Sequence, residues 1–218
     1  MKKQLEILAR DTAYDGFLRV DRYRLRHSLY AGGWSRVLVR ERVERLRAAA
    51  ILLYDPDDDR VVMVEQFRIG AHEAGEGAWL LEVVGGYVPP EESPEAVARR
   101  EAMEEAGCEV REIEPIGQFY LSPGTSVERI SLFCGRVRAP AGGAVHGLDH
   151  EGEDIRVEVL AADAAIAELF NGRANSTTAI VTLQWLAAHR PGLRARWLAG
   201  VPEPPERGRV SGRAVPRP

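Results

Sequence analysis

A chain of 218 residues that is 45% hydrophobic and 28% charged has the make-up of a globular protein of one to two domains with one substantial core. Its net charge of −4, with no long basic block alternating with aromatics, argues against nucleic acid as a partner, and no run of about 18 apolar residues is present to span a membrane. Only Cys108 and Cys134 occur, in no C-x-x-C spacing, and no secretory apolar stretch follows Met1-Lys2-Lys3, so the cysteines read as apolar fillers and the expected setting is the reducing cytoplasm.

Residues 16–43 alternate Arg with apolar or aromatic side chains, which predicts short strands with one wet face and a hairpin turn at Gly32-Gly33. Two apolar runs, 48–54 and 61–67, flank Asp55-Pro56-Asp57-Asp58-Asp59, a turn composition that predicts a second hairpin with a buried face. A loop over 69–78 precedes a strand at 79–84 that ends at Gly85-Gly86. A helix over 94–106 follows, with Ser93 as N-cap, Pro94 at the first helical position and Gly107 where a left-handed residue closes the helix. Strands are expected over 117–122, 128–138 and around Ile155, Val157 and Val159, with an acidic, Gly-rich loop over 139–154 between the last two. Helices over 163–170 and 176–190 complete the folded part, and the Pro-, Gly- and Arg-rich tail from 199 is expected to be disordered. The divisions that result are an N-terminal β sub-domain (1–47), a main domain (48–198) and the tail (199–218).

The chemistry-bearing stretch runs from Gly86 through Glu92 to Arg100-Glu101-Ala102-Met103-Glu104-Glu105-Ala106-Gly107-Cys108. Glu101, Glu104 and Glu105, spaced i, i+3 and i+4, project from one side of the predicted helix. An acidic solvated face is the bland reading. These acids, however, occupy the C-terminal turn, where the helix macrodipole disfavours negative charge, and only Arg100 stands nearby to offset it. A further cation is wanted. Clustered hard oxygens select Mg²⁺ or Mn²⁺, which can share their waters with a phosphate, lower the pKa of an attacking water and neutralise a leaving oxygen. The Gly85-Gly86 backbone approaches the same place without side chains.

This segment resembles the Nudix box, G-x5-E-x7-R-E-U-x-E-E-x-G-U, at all seven fixed positions. With each residue type at roughly 7% usage, chance agreement at one start is on the order of 10⁻⁸, so the motif is very specific. Over residues 14–190 the chain is similar to the bacterial ADP-ribose pyrophosphatase branch of that family. Ser122-Pro123-Gly124-Thr125-Ser126-Val127-Glu128-Arg129 carries a Pro fifteen residues after the box, 146–157 looks like the acidic catalytic loop, and Glu65-Gln66-Phe67-Arg68 resembles the strand end whose Arg contacts substrate.

The resemblance implies an α/β fold, a Nudix α/β/α sandwich with a mixed sheet plus an N-terminal antiparallel β sub-domain. It implies Mg²⁺-dependent hydrolysis (Mn²⁺ substituting) of ADP-ribose to AMP and ribose 5-phosphate. Glu101, Glu105, Glu153 and the carbonyl of Gly85 are the implied metal ligands. Glu151 is the implied general base, with Glu104 as alternative base or metal contact, and Arg100 orients the box acids, with Glu92 as one partner. Arg68, Phe17, Arg40 and Glu128 are implied substrate contacts. Bland readings stay open: solvating charge for the loop acids, packing for Phe17 and Arg40, a strand-end position for Arg68, a water-facing one for Glu128. The resemblance also implies a homodimer that exchanges N-terminal strands. Hydrolysis of another nucleoside diphosphate sugar such as GDP-mannose, and a catalytically silent ADP-ribose-binding regulator, are the alternatives.

Overall fold

The computed structural model describes residues 3–44, 47–73 and 77–199; the expected disorder of the tail from residue 200 onward lies outside them. Among the described residues no helix is long and apolar enough to cross a membrane.

The N-terminal segment forms an antiparallel sheet of β1 (Leu5–Asp15), β2 (Arg19–His27) and β3 (Leu38–Glu44), in that order. Sequence periodicity misses β1. Register shifts between Ile7 and Ala9 and between Thr12 and Tyr14 break its two-residue alternation, so no wet face can be read from the chain. Gly32 and Gly33 do turn the chain with φ of 92° and 73°, inside a connection closed by a Ser28–Trp34 bridge. The centre of this sheet is polar. Asp21 is buried and accepts hydrogen bonds from Arg19 Nε (3.0 Å), Arg10 Nε (2.7 Å) and Thr12 Oγ1 (3.1 Å), while Tyr23 donates to Glu44 (2.9 Å) and accepts from Arg42 (2.6 Å). Charge-assisted bonds do here what apolar packing does elsewhere. The sheet meets the rest of the chain at Val43, whose N–H donates to the Thr125 carbonyl (2.8 Å) and whose carbonyl accepts from Val127 N–H (3.1 Å).

The main sheet contains β4 (Arg47–Asp55), β5 (Arg60–Phe67), β8 (Ile113–Tyr120), β9 (Arg129–Arg136), β10 (Val145–His146) and β11 (Ile155–Ala161), ordered β10-β11-β5-β4-β9-β8. Two short strands extend it: β6 (Trp79–Glu82) pairs with β5 and β7 (Val84–Tyr87) with β4. Only β4–β9 is parallel, so the sheet is mixed, as expected. The strand predicted at 79–84 is in fact two. The chain leaves β5 after Glu82 and crosses to β4, which places Gly85 and Gly86 inside β7, opposite Ala50 and Ala49, rather than beyond a strand end.

Alternation along β4 divides the interior. Ala49, Ile51 and Leu53, with Val62 and Val64 of β5, pack against Val97, Ala98, Ala102 and Ala106 of α1 (Pro94–Ala106). Ala50, Leu52 and Tyr54, with Val61 and Met63, pack on the opposite face against α2 (Ala162–Asn171) and α3 (Thr177–Leu198). Cys108 joins the first cluster and Cys134 the second, both unbridged, in keeping with the filler reading. This is the expected mixed sheet between helices.

Helix α3 runs eight residues past the predicted end, through Pro191. A proline inside a helix removes one hydrogen bond and usually stops it. Burial of Leu193 and Trp197 beyond it offsets that loss: Trp197 lies 6.2 Å from the Tyr54 ring centre, and Arg136 Nη1 donates to the Trp197 carbonyl (2.7 Å). Trp197→Ala is therefore expected to lower unfolding stability by about 3–5 kcal/mol, the range for emptying a large aromatic site, measured by urea denaturation; a change within 0.5 kcal/mol, roughly that of a surface substitution, would show that the last two turns of α3 carry no load.

Candidate active site

Helix α1 is placed by local signals that act as predicted. Ser93 Oγ accepts from Ala96 N–H (3.2 Å), Pro94 opens the first turn, and Gly107, at φ 62°, donates to the Met103 carbonyl (3.0 Å). Its apolar face against β4 turns Glu101 and Glu105 toward β7. Glu105 is only 2% exposed, and its Oε2 accepts the Gly85 N–H at 3.2 Å. The two glycines are required by this approach: a side chain on Gly86 would overlap the Glu101 carboxylate, and one on Gly85 would lie 2.7 Å from the Ala49 carbonyl oxygen.

Arg100 gathers the acids. Its Nη1 donates to Glu104 Oε2 at 2.5 Å and its Nη2 stands 3.0 Å from Glu101 Oε1, the box acids expected of it, and Glu92, the further partner expected, is paired more loosely at 3.8 Å.

The loop expected to carry further acids does fold against α1. It contains the short β10 and a turn of 3₁₀-helix at Asp149–Glu151. Gly147 N–H points at the Glu104 carbonyl (3.4 Å), and the His146 ring covers Gly107. Gly147 has φ 110°, and a methyl group there would sit 2.7 Å from Glu153 Cβ. Glu153 accepts the Leu148 N–H at 3.1 Å, so its carboxylate is held by the loop itself. Glu151 is half exposed beside His150, 3.7 Å away.

The electrostatics bind these pieces into one site. The Glu105 carboxyl is pushed up to about 8, chiefly by burial and also by the charges of Glu101 and Glu153, with the Gly85 N–H opposing. Burial also pushes Glu101 up to about 6, against the pull of Arg100 and with repulsion from Glu104, Glu153 and Glu151. Both loop acids thus lie within the field of the helix acids. Carboxylates raised in this way hold either protons or a cation. Among the described residues no three acidic side chains already converge as a finished ligand set: Glu101 leans on Arg100, Glu105 on Gly85 and Glu153 on Leu148. Side-chain rotation from those partners is what a divalent ion would require, and a hard-oxygen donor set beside side-chain-free backbone fits such an ion.

Arg68 reaches the edge of this group. Its Nε donates to Glu82 Oε2 (2.7 Å), and its charge lowers the Glu105 carboxyl. Glu82 carries little sequence signal, a single acid closing the apolar strand Trp79–Glu82. Phe17 and Arg40 are not brought to the site within this chain. Phe17, 96% exposed, tips the β1–β2 turn, and Arg40 on β3 donates to the Val39 carbonyl. Glu128 precedes β9 beside the Val43 junction, its carboxyl raised by burial.

The NUDIX domain model matches residues 44–180. An ADP-ribose pyrophosphatase of Escherichia coli (strain K12) is 43% identical over 196 residues, covering 90% of this chain and 94% of its own. A GDP-mannose pyrophosphatase of Citrobacter koseri is 36% identical over 152 residues, covering 67% and 76%. A crystal structure described as an ADP compounds hydrolase superposes with a TM-score of 0.62 at 16% identity over 85% of this chain and 96% of that one, a likeness of fold.

A pH dependence follows from the raised carboxyls. Because their folded-state values exceed the ordinary carboxylate range, the folded state holds extra protons, and that stability is full at low pH and lost as pH rises through about 6 for Glu101 and about 8 for Glu105. The cation-free protein is expected to melt at lower temperature at pH 8.5 than at pH 5.5 (roughly the two sides of that window), and Glu105→Gln to flatten the profile. Added divalent cation should raise the midpoint more at the higher pH, since it competes with fewer protons. Melting curves across this range check it; a profile that rises with pH and is unaffected by Glu105→Gln would contradict the buried-acid account.

Proposed function

The chain belongs to the Nudix family, and on that premise we propose that it is a Mg²⁺-dependent pyrophosphohydrolase that converts ADP-ribose and water to AMP and ribose 5-phosphate. The observation that carries the reading is the buried Glu105 beside the partly buried Glu101, set against Gly85-Gly86 and within the field of Glu153 and Glu151. The 43% identity with an ADP-ribose pyrophosphatase supports the choice of substrate.

In this reading Glu101, Glu105, Glu153 and the Gly85 carbonyl hold Mg²⁺, with Mn²⁺ able to replace it. When bound, the divalent ions activate the attacking water and neutralise the bridging and leaving oxygens of the diphosphate. Glu151 takes the proton from that water, approaching as the loop closes over substrate; Glu104 is the alternative base. Arg100 keeps Glu101 and Glu104 aligned by charge-assisted bonds. Arg68, fixed in plane by Glu82, presents a guanidinium edge to the diphosphate. Glu128 contacts a ribose hydroxyl.

Phe17 and Arg40 contact adenine and ribose across a two-fold homodimer with exchanged N-terminal strands. The 96% exposure of Phe17, and the exposed Leu5, Ile7, Val39 and Tyr14 of a sheet with a polar centre, support that arrangement. The division into an N-terminal β sub-domain (1–47), a hydrolase domain (48–198) and a tail accords with it, as does a cytoplasmic setting. GDP-mannose is the second candidate substrate, favoured by the 36% identity with a GDP-mannose pyrophosphatase and by a box that contacts only the diphosphate.

Assay of a panel of nucleoside diphosphate sugars, with phosphatase coupling to release phosphate, is expected to give the highest kcat/KM for ADP-ribose; a tenfold preference (about 1.4 kcal/mol) for GDP-mannose would reverse the order. Glu105→Gln should cost roughly 10³-fold or more in turnover, and Glu151→Gln on the order of 10²–10⁴ with little change in KM. Full turnover by Glu151→Gln would remove the base from that residue and leave the metal ligands untouched.

A further inference from the structure

Strand β5 ends in a departure from its own pattern. Val61 to Val64 are fully buried and apolar, but Gln66 is also buried, at 5% exposure, and its amide nitrogen Nε2 has no hydrogen-bond partner among the described residues. A buried donor without an acceptor is unfavourable, and such groups in native proteins commonly meet a water, an ion or a ligand. Alternation settles which side of the sheet it faces. Val62 and Val64 pack toward α1, so Gln66 continues that row and Arg68 follows it. Its rung partner on β6 is Leu80, two residues before Glu82, which holds Arg68. On the other flank, one step beyond the last β5–β11 pair of Glu65 with Arg156, stands Ile155, two residues after Glu153. The unpaired amide therefore lies on the face occupied by Arg68, Glu82, Glu105 and Glu153.

We propose that Gln66 is a substrate-contacting residue whose Nε2 donates a hydrogen bond to a non-bridging oxygen of the diphosphate. The acids of this face are acceptors that a divalent ion would engage, and a diphosphate oxygen brought in with the substrate is the acceptor best matched to a neutral amide donor beside Arg68. A core role alone would be served by Leu or Met without an unpaired donor. The inference rests on the diphosphate reading of the site and adds a neutral donor to the cationic Arg68, which together distinguish a diphosphate oxygen from a carboxylate of the protein.

The test is binding of two probes in saturating Mg²⁺ by calorimetry: inorganic pyrophosphate, and ADP-ribose with a methylene-bridged diphosphate. Gln66→Met is expected to weaken both by about tenfold, the effect of one neutral hydrogen bond. Its ligand-free melting temperature should be unchanged or higher, because an unpaired donor has been removed, and its half-saturating Mg²⁺ concentration unchanged. Unaltered pyrophosphate affinity, weakening confined to the ADP-ribose analogue, or a melting temperature lowered by several degrees overturns the proposal. Should Gln66→Met fail to fold, the isosteric Gln66→Glu takes its place, with more than tenfold weakening expected and retained affinity overturning. Wild-type protein that binds pyrophosphate but not the analogue would sink ADP-ribose as substrate while leaving the Gln66 contact decided by the pyrophosphate arm.

Discussion

A carboxylate that is 2% exposed has given up its hydration, and the fold around Glu105 is arranged to make that tolerable. One side chain oxygen takes the Gly85 N–H, and the absence of a side chain at Gly85 and Gly86 lets the acids of α1 come this close to the β7 backbone. Its pKa is still raised to about 8, by burial above all and by the neighbouring charges of Glu101 and Glu153. The glycine pair, the cap at Gly107, the position of Arg100 and the docking of the acidic loop all follow from bringing negative groups together in a place where they repel. Stability is lower for it. A site that binds cations strongly must be one that the protein alone leaves undercompensated.

The N-terminal sheet solves a different problem in a different way. Three strands on their own bury little apolar surface. Here Asp21 collects Arg19, Arg10 and Thr12, and its carboxyl is held down to about 2 by those donors, while Glu44, Tyr23 and Arg42 form a second linked group. Buried ionic networks give register more reliably than they give stability. Leu5, Ile7, Tyr14 and Val39 remain at the surface.

Legibility of the fold in the sequence tracked how local the signal was. Helix α1 was readable to the residue because Ser93, Pro94 and Gly107 act within one turn of their own positions. The hairpin of β4 and β5 was readable because its turn, Asp55 to Asp59, contrasts with the apolar runs beside it. β1 was not, since two bulges scramble its alternation; nor was the end of α3, where a local breaker, Pro191, is overruled by tertiary burial of Trp197. At the site, the box acids were legible as i, i+3 and i+4 neighbours. Glu82 and Gln66 were not, because each matters through a cross-strand neighbour, and only the break in an apolar run hinted at them.

The split allegiance of β4 limits how such a chain can drift. Ala49, Ile51 and Leu53 serve the helix that bears the acids, while Ala50, Leu52 and Tyr54 serve the two closing helices. Insertion of one residue between them would trade the two sets across the sheet and unseat both layers at once. Length is consequently frozen in this strand while sequence is not, provided volume is conserved on each side; over evolutionary time, indels belong to the connecting segments and amino-acid exchange to the interior.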